Sequence, residues 1–345
     1  MRTIPIALCT AVAAVGCRPE ADVPRQSITV AVQATAETAP VGTSNRDAAD
    51  DPAIWRNPAD PAASLIVATD KQAGLYVYDL TGRARSFDPA GRINNVGLVD
   101  LGSRGILVVA SDRNDEDDAR LRLYRLDPDG PKLVSLATVP GGKGEAYGIC
   151  LGKSADGTIH AFLVLKEGRI EQLALSFDGT SAQGRIVRSL SVPSQSEGCV
   201  VDMRTGKLFV GEEKVGIWKF EAAADAPASG QLVAEVDGDH LSADVEGLAL
   251  APDGANGGYL IASSQGDDSF ALYRLPDMEP AGRFRIARGR FGSVEETDGI
   301  ALVLGDFGRA FPGGLFVAQD GENQPRAQNF KLLPWAAILG AMENR

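Results

Sequence analysis

The sequence predicts an all-β protein, a six-bladed β-propeller, and three observations carry that prediction. Short β-branched runs bounded by Gly, Pro and polar residues recur along the chain, and only the last dozen residues show helical periodicity. Two series of strand ends repeat about every fifty residues, the size of a four-stranded blade. Glycine is abundant at 39 and proline at 19, as many short strands joined by tight turns require.

Taken in order, residues 1–16 read as an export signal. Arg2 precedes the apolar run Ile4 to Val15, which is too short to span a bilayer, and a small residue, Gly16, stands at the cut. The tetrad Ala14-Val15-Gly16-Cys17 resembles a bacterial lipobox, which would place a lipid on Cys17; plain cleavage near Cys17 is the alternative. The expectation is therefore an exported protein, either an envelope lipoprotein (outer membrane or periplasm) or a secreted one. Residues 17–26 read as a flexible tether. Residues 27–345 form the propeller domain, and the strand Ser27 to Gln33 is expected to close the ring by joining the last blade. Two separate β-sandwiches would need a linker that the sequence does not contain.

The blades come from two repeats. The first runs Asp51-Pro, Val96-Gly, Tyr147-Gly, Glu197-Gly, Glu246-Gly and Asp298-Gly, each followed by an apolar strand. The second ends its strands at Lys71, Arg113, Lys166, Glu213, Gln265 and Asp320. Equivalent positions of successive blades lie on a ring about the axis, so both series should converge on one mouth of the central channel. Asp47, Asp50, Glu212, Asp244 and Glu322 stand beside them. Trp55, Trp218 and Trp335 read as core, and the acid run Asp115 to Asp118 as a solvated loop.

Charge and composition narrow the chemistry. In 345 residues, 34 Lys and Arg face 46 Asp and Glu, a net charge of −12, which excludes a nucleic-acid surface. Two His (His160 and His240) exclude mechanisms that need several imidazoles. Cys150 and Cys199 either pair in an oxidising compartment or are two buried small residues.

The ring of charges is asymmetric. Its cations, Lys71, Arg113 and Lys166, come from the first three blades, and most carboxylates come from the last three and from Asp50-Asp51. Crowded carboxylates need counter-charge, and an oxygen-only donor set without His or Cys selects Ca²⁺ or Mg²⁺, with a flexible cage favouring several Ca²⁺ ions. Cations opposite such ions suit a highly anionic ligand, most naturally phosphate. A single Asp-Gly or Glu-Gly is usually only turn chemistry; it is the recurrence in nearly every unit that raises these positions to site candidates.

These residues strongly resemble the β-propeller phytases. The matching motifs include Asp47-Ala-Ala-Asp-Asp-Pro-Ala-Ile-Trp55, Asn94-Asn-Val96, Tyr147-Gly148, Lys166-Glu-Gly168, Ser196-Glu-Gly198 and Asp244-Val-Glu-Gly247. Thr297-Asp-Gly-Ile300, Phe316-Val-Ala-Gln-Asp-Gly-Glu-Asn323 and Asn329-Phe-Lys-Leu-Leu-Pro-Trp335 extend the match. The resemblance implies a calcium-dependent phosphomonoesterase acting on myo-inositol hexakisphosphate (phytate), on calcium-phytate and on lower inositol phosphates. It implies that Lys71, Arg113, Tyr147 and Lys166 bind substrate phosphates. Asp50, Glu197, Glu213, Asp244 and Glu246 would hold catalytic calcium, with Glu197 and Glu213 counted among the catalytic residues. Asp51, Val96 (through its carbonyl), Asp298, Glu322 and Asn323 would serve structural calcium, and Glu37 would reach the site too. The sequence departs from the family at Gly97 and Ala301, where acids are common, and at Glu145, which stands in for a more acidic approach to Tyr147.

The expected mechanism is in-line attack by a calcium-bridged water at neutral to mildly alkaline pH, in a monomer. The sequence has no Arg-His-Gly motif and no Cys-x5-Arg loop, the signatures of covalent phosphatases. Two other classes compete: a calcium-dependent lactonase on a similar frame, and a non-catalytic inositol-phosphate-binding propeller. Release of phosphate, opening of a lactone, or binding without turnover separates the three.

Overall fold

The computed structural model describes residues 29–44, 47–154 and 156–344. The signal, the tether and Cys17 lie outside the described residues. The chain forms six small sheets in a ring, a six-bladed β-propeller, each blade a set of antiparallel strands. The innermost strands are Ala49–Trp55, Ile93–Asp100, Ala146–Lys153, Ser196–Asp202, Val245–Asp253 and Ile300–Leu304, for blades one to six in turn. Each contacts the next, and the sixth returns to the first.

What holds the ring is packing between sheet faces. Among the described residues there are six clusters of buried apolar side chains, and each fills one seam between neighbouring blades. Alternation along the strands supplies them: Leu107, Val109, Leu121 and Leu123 of blade two meet Ile149, Leu163 and Leu173 of blade three. Burying each such side chain contributes roughly 1.5–3 kcal/mol. Trp55 and Trp335 are core, as expected, whereas Trp218 is only partly buried and donates from Nε1 to Glu212 at 2.7 Å. The one described α-helix, Trp335–Glu343, turns Trp335, Ile338 and Met342 onto the seam between blades five and six. No described helix is long and apolar enough to cross a membrane.

Ring closure differs from expectation in one respect. The early strand, Thr29–Val32, does not join the last blade; it adds to blade five, parallel to Glu279–Ile286. The two-residue strand Ala36–Glu37 completes blade six by pairing with Leu332 and Lys331. The chain start thus covers the outer edges of two blades, and one short pairing was all the sequence pattern could show. Cys150 and Cys199 resolve as a disulfide, with Cα atoms 5.7 Å apart, between the inner strands of blades three and four.

Candidate active site

The local device that builds the site is a β-bulge. In five blades the pairing of first and second strands skips at the strand start: Ala49 to Pro52, Ile93 to Val96, Ala146 to Gly148, Ser196 to Cys199 and Val245 to Leu248. In four of them the skip holds the first-repeat residue (Asp51, Tyr147, Glu197 and Glu246), whereas in blade two it holds Asn94 and Asn95 and Val96 pairs with Ala110; a bulge re-aims a side chain out of the sheet alternation. The following glycine has a separate reason. A Cβ on Gly148 would sit 1.9 Å from the Glu197 carbonyl oxygen, and one on Gly198 2.0 Å from that of Glu246. Each glycine therefore lets the next blade's backbone come close to the axis.

Carboxylates crowd this mouth. One oxygen from each of Glu197, Glu213 and Glu246 lies within 4.8 Å of the others, and all three residues are buried. Burial pushes Glu197 and Glu246 well above the ordinary carboxylate range, reinforced by Asp50 for the first and Asp298 for the second. Burial also raises Glu213, with Asp244 adding to it. Burial raises Asp51 well above its usual value although the Val96 N–H donates to it at 3.0 Å, and Asp50 and Asp298 work in the same direction. Asp298 is pushed up to about 6 by burial and by Asp50, against the pull of Lys71.

The cations face these acids. Lys71 Nζ lies 2.5 Å from Asp47, 2.9 Å from Asp50 and 3.0 Å from Asp298. Burial opposes its charge, but Asp50, Asp298 and Glu197 outweigh that and keep it protonated far above neutral pH. Arg113 forms an ion pair with Glu145 at 2.6 Å and donates to Asn94, while Asn94 donates to Glu197 at 3.1 Å. Lys166 Nζ is 3.4 Å from the other Glu145 oxygen. Arg113 and Lys166 both lie over the Tyr147 ring, at 5.6 Å and 5.1 Å from its centroid. Burial and Glu197 drive the Tyr147 phenol far above its usual value, so it remains a hydrogen-bond donor.

The structure thus gathers Lys71, Arg113, Tyr147, Lys166, Asp50, Asp51, Glu197, Glu213, Asp244, Glu246 and Asp298 around one mouth. Below it the axial channel, a cavity of about 400 Å³ lined mainly by apolar inner-strand residues, includes Val96 in its wall. Beside it a polar groove of about 800 Å³ runs from Asp47 and Asp298 past Gln265 to Glu295, Glu296 and Glu322.

Other candidates fall outside this constellation. Glu37 is on the outer strand of blade six, where it meets Arg326 through two bonds of 2.8 and 2.9 Å and the buried Lys331 at 2.7 Å. Burial works against its charge, but these partners and Asn329 hold its carboxyl down at about 2. Asn323 and Asp320 also turn to Lys331, at 3.1 and 3.0 Å. Glu212 is held by Ser194 and Trp218. The acid run after Asp115 is exposed or half-exposed, with Glu116 and Asp118 paired to Arg92 and Lys143.

Sequence reasoning gave no role to Asn94 and did not foresee Glu145 as the carboxylate shared by Arg113 and Lys166. The signal for Glu145 was its place two residues before Tyr147, on the cationic side of the ring.

The donor set fits a hard divalent cation. Asp50 Oδ1, Glu213 Oε1 and Glu246 Oε2 are buried without a hydrogen-bond partner, and every candidate ligand is oxygen. Lys71 and the amides present cannot neutralise so many carboxylates.

A propeller whose mouth sets buried carboxylates against Lys, Arg and Tyr defines a phosphate-processing hydrolase rather than a carrier of several imidazole-bound metals. The phytase family model matches residues 3–345, and the chain belongs to that family and is an enzyme of it. It is 38% identical over 331 residues to a 3-phytase of Bacillus subtilis (strain 168), covering 90% of this chain and 86% of that protein. Among solved structures it is similar to a chain of the mitotic checkpoint complex (TM-score 0.51, 12% identity, 98% of this chain and 86% of that one). It is also similar to the PQQ-bound aldose sugar dehydrogenase of Streptomyces coelicolor (TM-score 0.50, 14% identity, 88% of this chain and 97% of that one). At such identities these two speak for the fold alone.

Proposed function

We propose that this protein is a calcium-dependent phosphomonoesterase that removes phosphates from phytate and from lower inositol phosphates at the axial mouth. The observation that carries the proposal is the opposition of the Glu197–Glu213–Glu246 cluster to the Lys71, Arg113 and Lys166 cations. The 3-phytase relative supports the substrate class. In this reading Asp50, Glu197, Glu213, Asp244 and Glu246 would hold the catalytic ions, and Asp51 and Asp298 would serve structural ions. Calcium bound there supplies charge neutralisation of the phosphate and an activated water for attack at phosphorus.

The chain's own groups do the rest. Arg113 can fork onto two phosphate oxygens, and Lys166 adds a point charge from the same side. The neutral Tyr147 hydroxyl donates to a phosphate oxygen. Lys71, fixed by three carboxylates, stabilises negative charge as it grows in the transition state. Export, with or without a lipid on Cys17, completes the proposal and rests on residues 1–17.

The test is a time course of phosphate release from calcium-phytate, with and without free calcium, for the wild type and Lys71→Ala. Rapid release by the wild type that stops on chelation, and little release by the variant, is the expected result. Full turnover in the presence of a strong chelator would end the calcium reading.

A further inference from the structure

Five of the six seams carry a hydrogen bond from one blade to the next close to the mouth. The Val96 N–H donates to Asp51 Oδ2 (3.0 Å) between blades one and two, and Ser111 Oγ to the Tyr147 carbonyl (2.6 Å) between two and three. Val245 N–H donates to the Glu213 carbonyl (2.8 Å) between four and five. Gly247 N–H donates to the Asp298 carbonyl (2.8 Å) between five and six, and Gly299 N–H to that of Asp50 (3.0 Å) between six and one. Between blades three and four the hydrogen bonds lie on the outer strands, from Gln172 to the Ala222 carbonyl (2.9 Å) and from Arg188 to the carbonyls of Glu221 and Ala223 (2.9 and 2.6 Å), and among the described residues none joins the inner strands Ala146–Lys153 and Ser196–Asp202. The Cys150–Cys199 disulfide stands there instead.

That seam matters for the chemistry. Cys150 is three residues beyond Tyr147 and Cys199 two beyond Glu197. Both of those residues sit inside bulges, where the sheet ladder does not pin the backbone. The seam also divides the Tyr147–Lys166 side of the mouth from the Glu197–Glu213 side. Both cysteines are buried in the apolar cluster of this seam, where it borders the axial channel.

We propose that the Cys150–Cys199 disulfide is a positioning device for the site, a covalent link between two inner strands that no hydrogen bond joins, which fixes Glu197 relative to Tyr147. The proposal rests on the functional reading above, in which these two residues face one ligand. Without the bridge the two blades still pack through Phe162, Leu208 and Phe220. The fold therefore persists, while the two halves of the mouth drift relative to each other. A displacement near 1 Å is enough to weaken a multi-point site by one or two orders of magnitude.

The test compares the wild type with the double variant Cys150→Ala/Cys199→Ala at 25 °C, with folding checked by circular dichroism. Calcium binding is measured by equilibrium dialysis, and KM and kcat for phytate are measured separately. The expected result is a folded variant with calcium affinity roughly tenfold weaker and KM for phytate raised by a similar factor, kcat changing less. A variant whose melting temperature falls while its calcium affinity and KM stay at wild-type values overturns the proposal, because the bridge is then structural only. If the variant does not fold, wild-type protein reduced with a phosphine, its free thiols counted, is measured in the same way. Weakened binding that returns on reoxidation supports the proposal, and unchanged binding overturns it. An oxidised wild type that releases no phosphate defeats the phytase reading itself, an outcome distinct from an active enzyme indifferent to its disulfide.

Discussion

The Nζ of Lys71 and Oδ2 of Asp50 form an ion pair of 2.9 Å in which the lysine side chain is 9% exposed and the aspartate fully buried. Asp50 is placed by the bulge of blade one and Lys71 by the turn after that blade's second strand, so one blade supplies both charges. Two further carboxylates share the same ammonium, which leaves the acids in excess around it.

Replacing Lys71 with Met should therefore be felt twice. In calcium-free buffer the variant should lose about 3 kcal/mol in urea unfolding, because the buried acids lose their cation. Added calcium should restore most of that stability, yet phosphate release should stay at least about a hundredfold below wild type. Recovery of activity along with stability would show that Lys71 only balances charge.

Calcium should stabilise the folded chain by mass action. At a free concentration one hundred times the dissociation constant, each site adds about 2.7 kcal/mol, so the melting temperature should climb with calcium and fall with a chelator. Glu246→Gln should flatten that dependence. A melting temperature indifferent to calcium in the wild type contradicts the proposed site.

Arg113→Lys keeps the charge but removes the fork that reaches both Glu145 and Asn94. We expect KM for phytate to rise about tenfold, about 1.4 kcal/mol, with a smaller change in kcat. Steady-state kinetics at saturating calcium decide it; an unchanged KM removes Arg113 from phosphate binding.

Two glycines should respond oppositely to alanine. A Cβ on Gly198 meets the Glu246 carbonyl at 2.0 Å, so Gly198→Ala must push blades four and five apart and should cost several kcal/mol. Gly340 lies in the C-terminal helix with open space around it, and Gly340→Ala should stabilise by about 0.5–1 kcal/mol. Thermal melts of the two variants should move in opposite directions.

Away from the site, Asp237 gives a pH signature. Burial opposes its charge, but the His240 ring and the N–H groups of Asp239, His240 and Leu241 outweigh it and hold the carboxyl down at about 2, below the usual 3.8. A depressed carboxyl stabilises the fold at pH above 3.8, and that contribution disappears as pH falls through about 2. The gap in melting temperature between wild type and Asp237→Ala should be full at pH 5 and nearly closed at pH 2. A gap independent of pH would falsify the assignment.

The blade count and the ring of charges were legible in the sequence because both come from local repetition: a strand, a polar end, and a glycine wherever the next blade's carbonyl comes close. Asp51, Glu197 and Glu246 declared themselves through their spacing. Pairings set by distant chain segments left no such trace. The parallel addition of Thr29–Val32 to blade five joins residues some 250 positions apart, and nothing in either strand's alternation selects that edge. Lys331 is a similar case. From the sequence it is one lysine within an apolar strand, and only the folded sheet brings Glu37, Asp320 and Asn323 to it. Glu145 lies between these extremes, near the ring in sequence but recognisable as a shared counter-ion only once Arg113 and Lys166 are seen on either side.

Because Thr29–Val32 and Ala36–Glu37 lie on blades five and six, a nascent chain must hold them unpaired until Glu279–Ile286 and Asn329–Pro334 emerge. A propeller stitched in this way stays unlocked throughout translation. Shortening its front end past Val32 should then be as damaging as trimming its tail, with the harm appearing at the far side of the molecule from the cut in sequence.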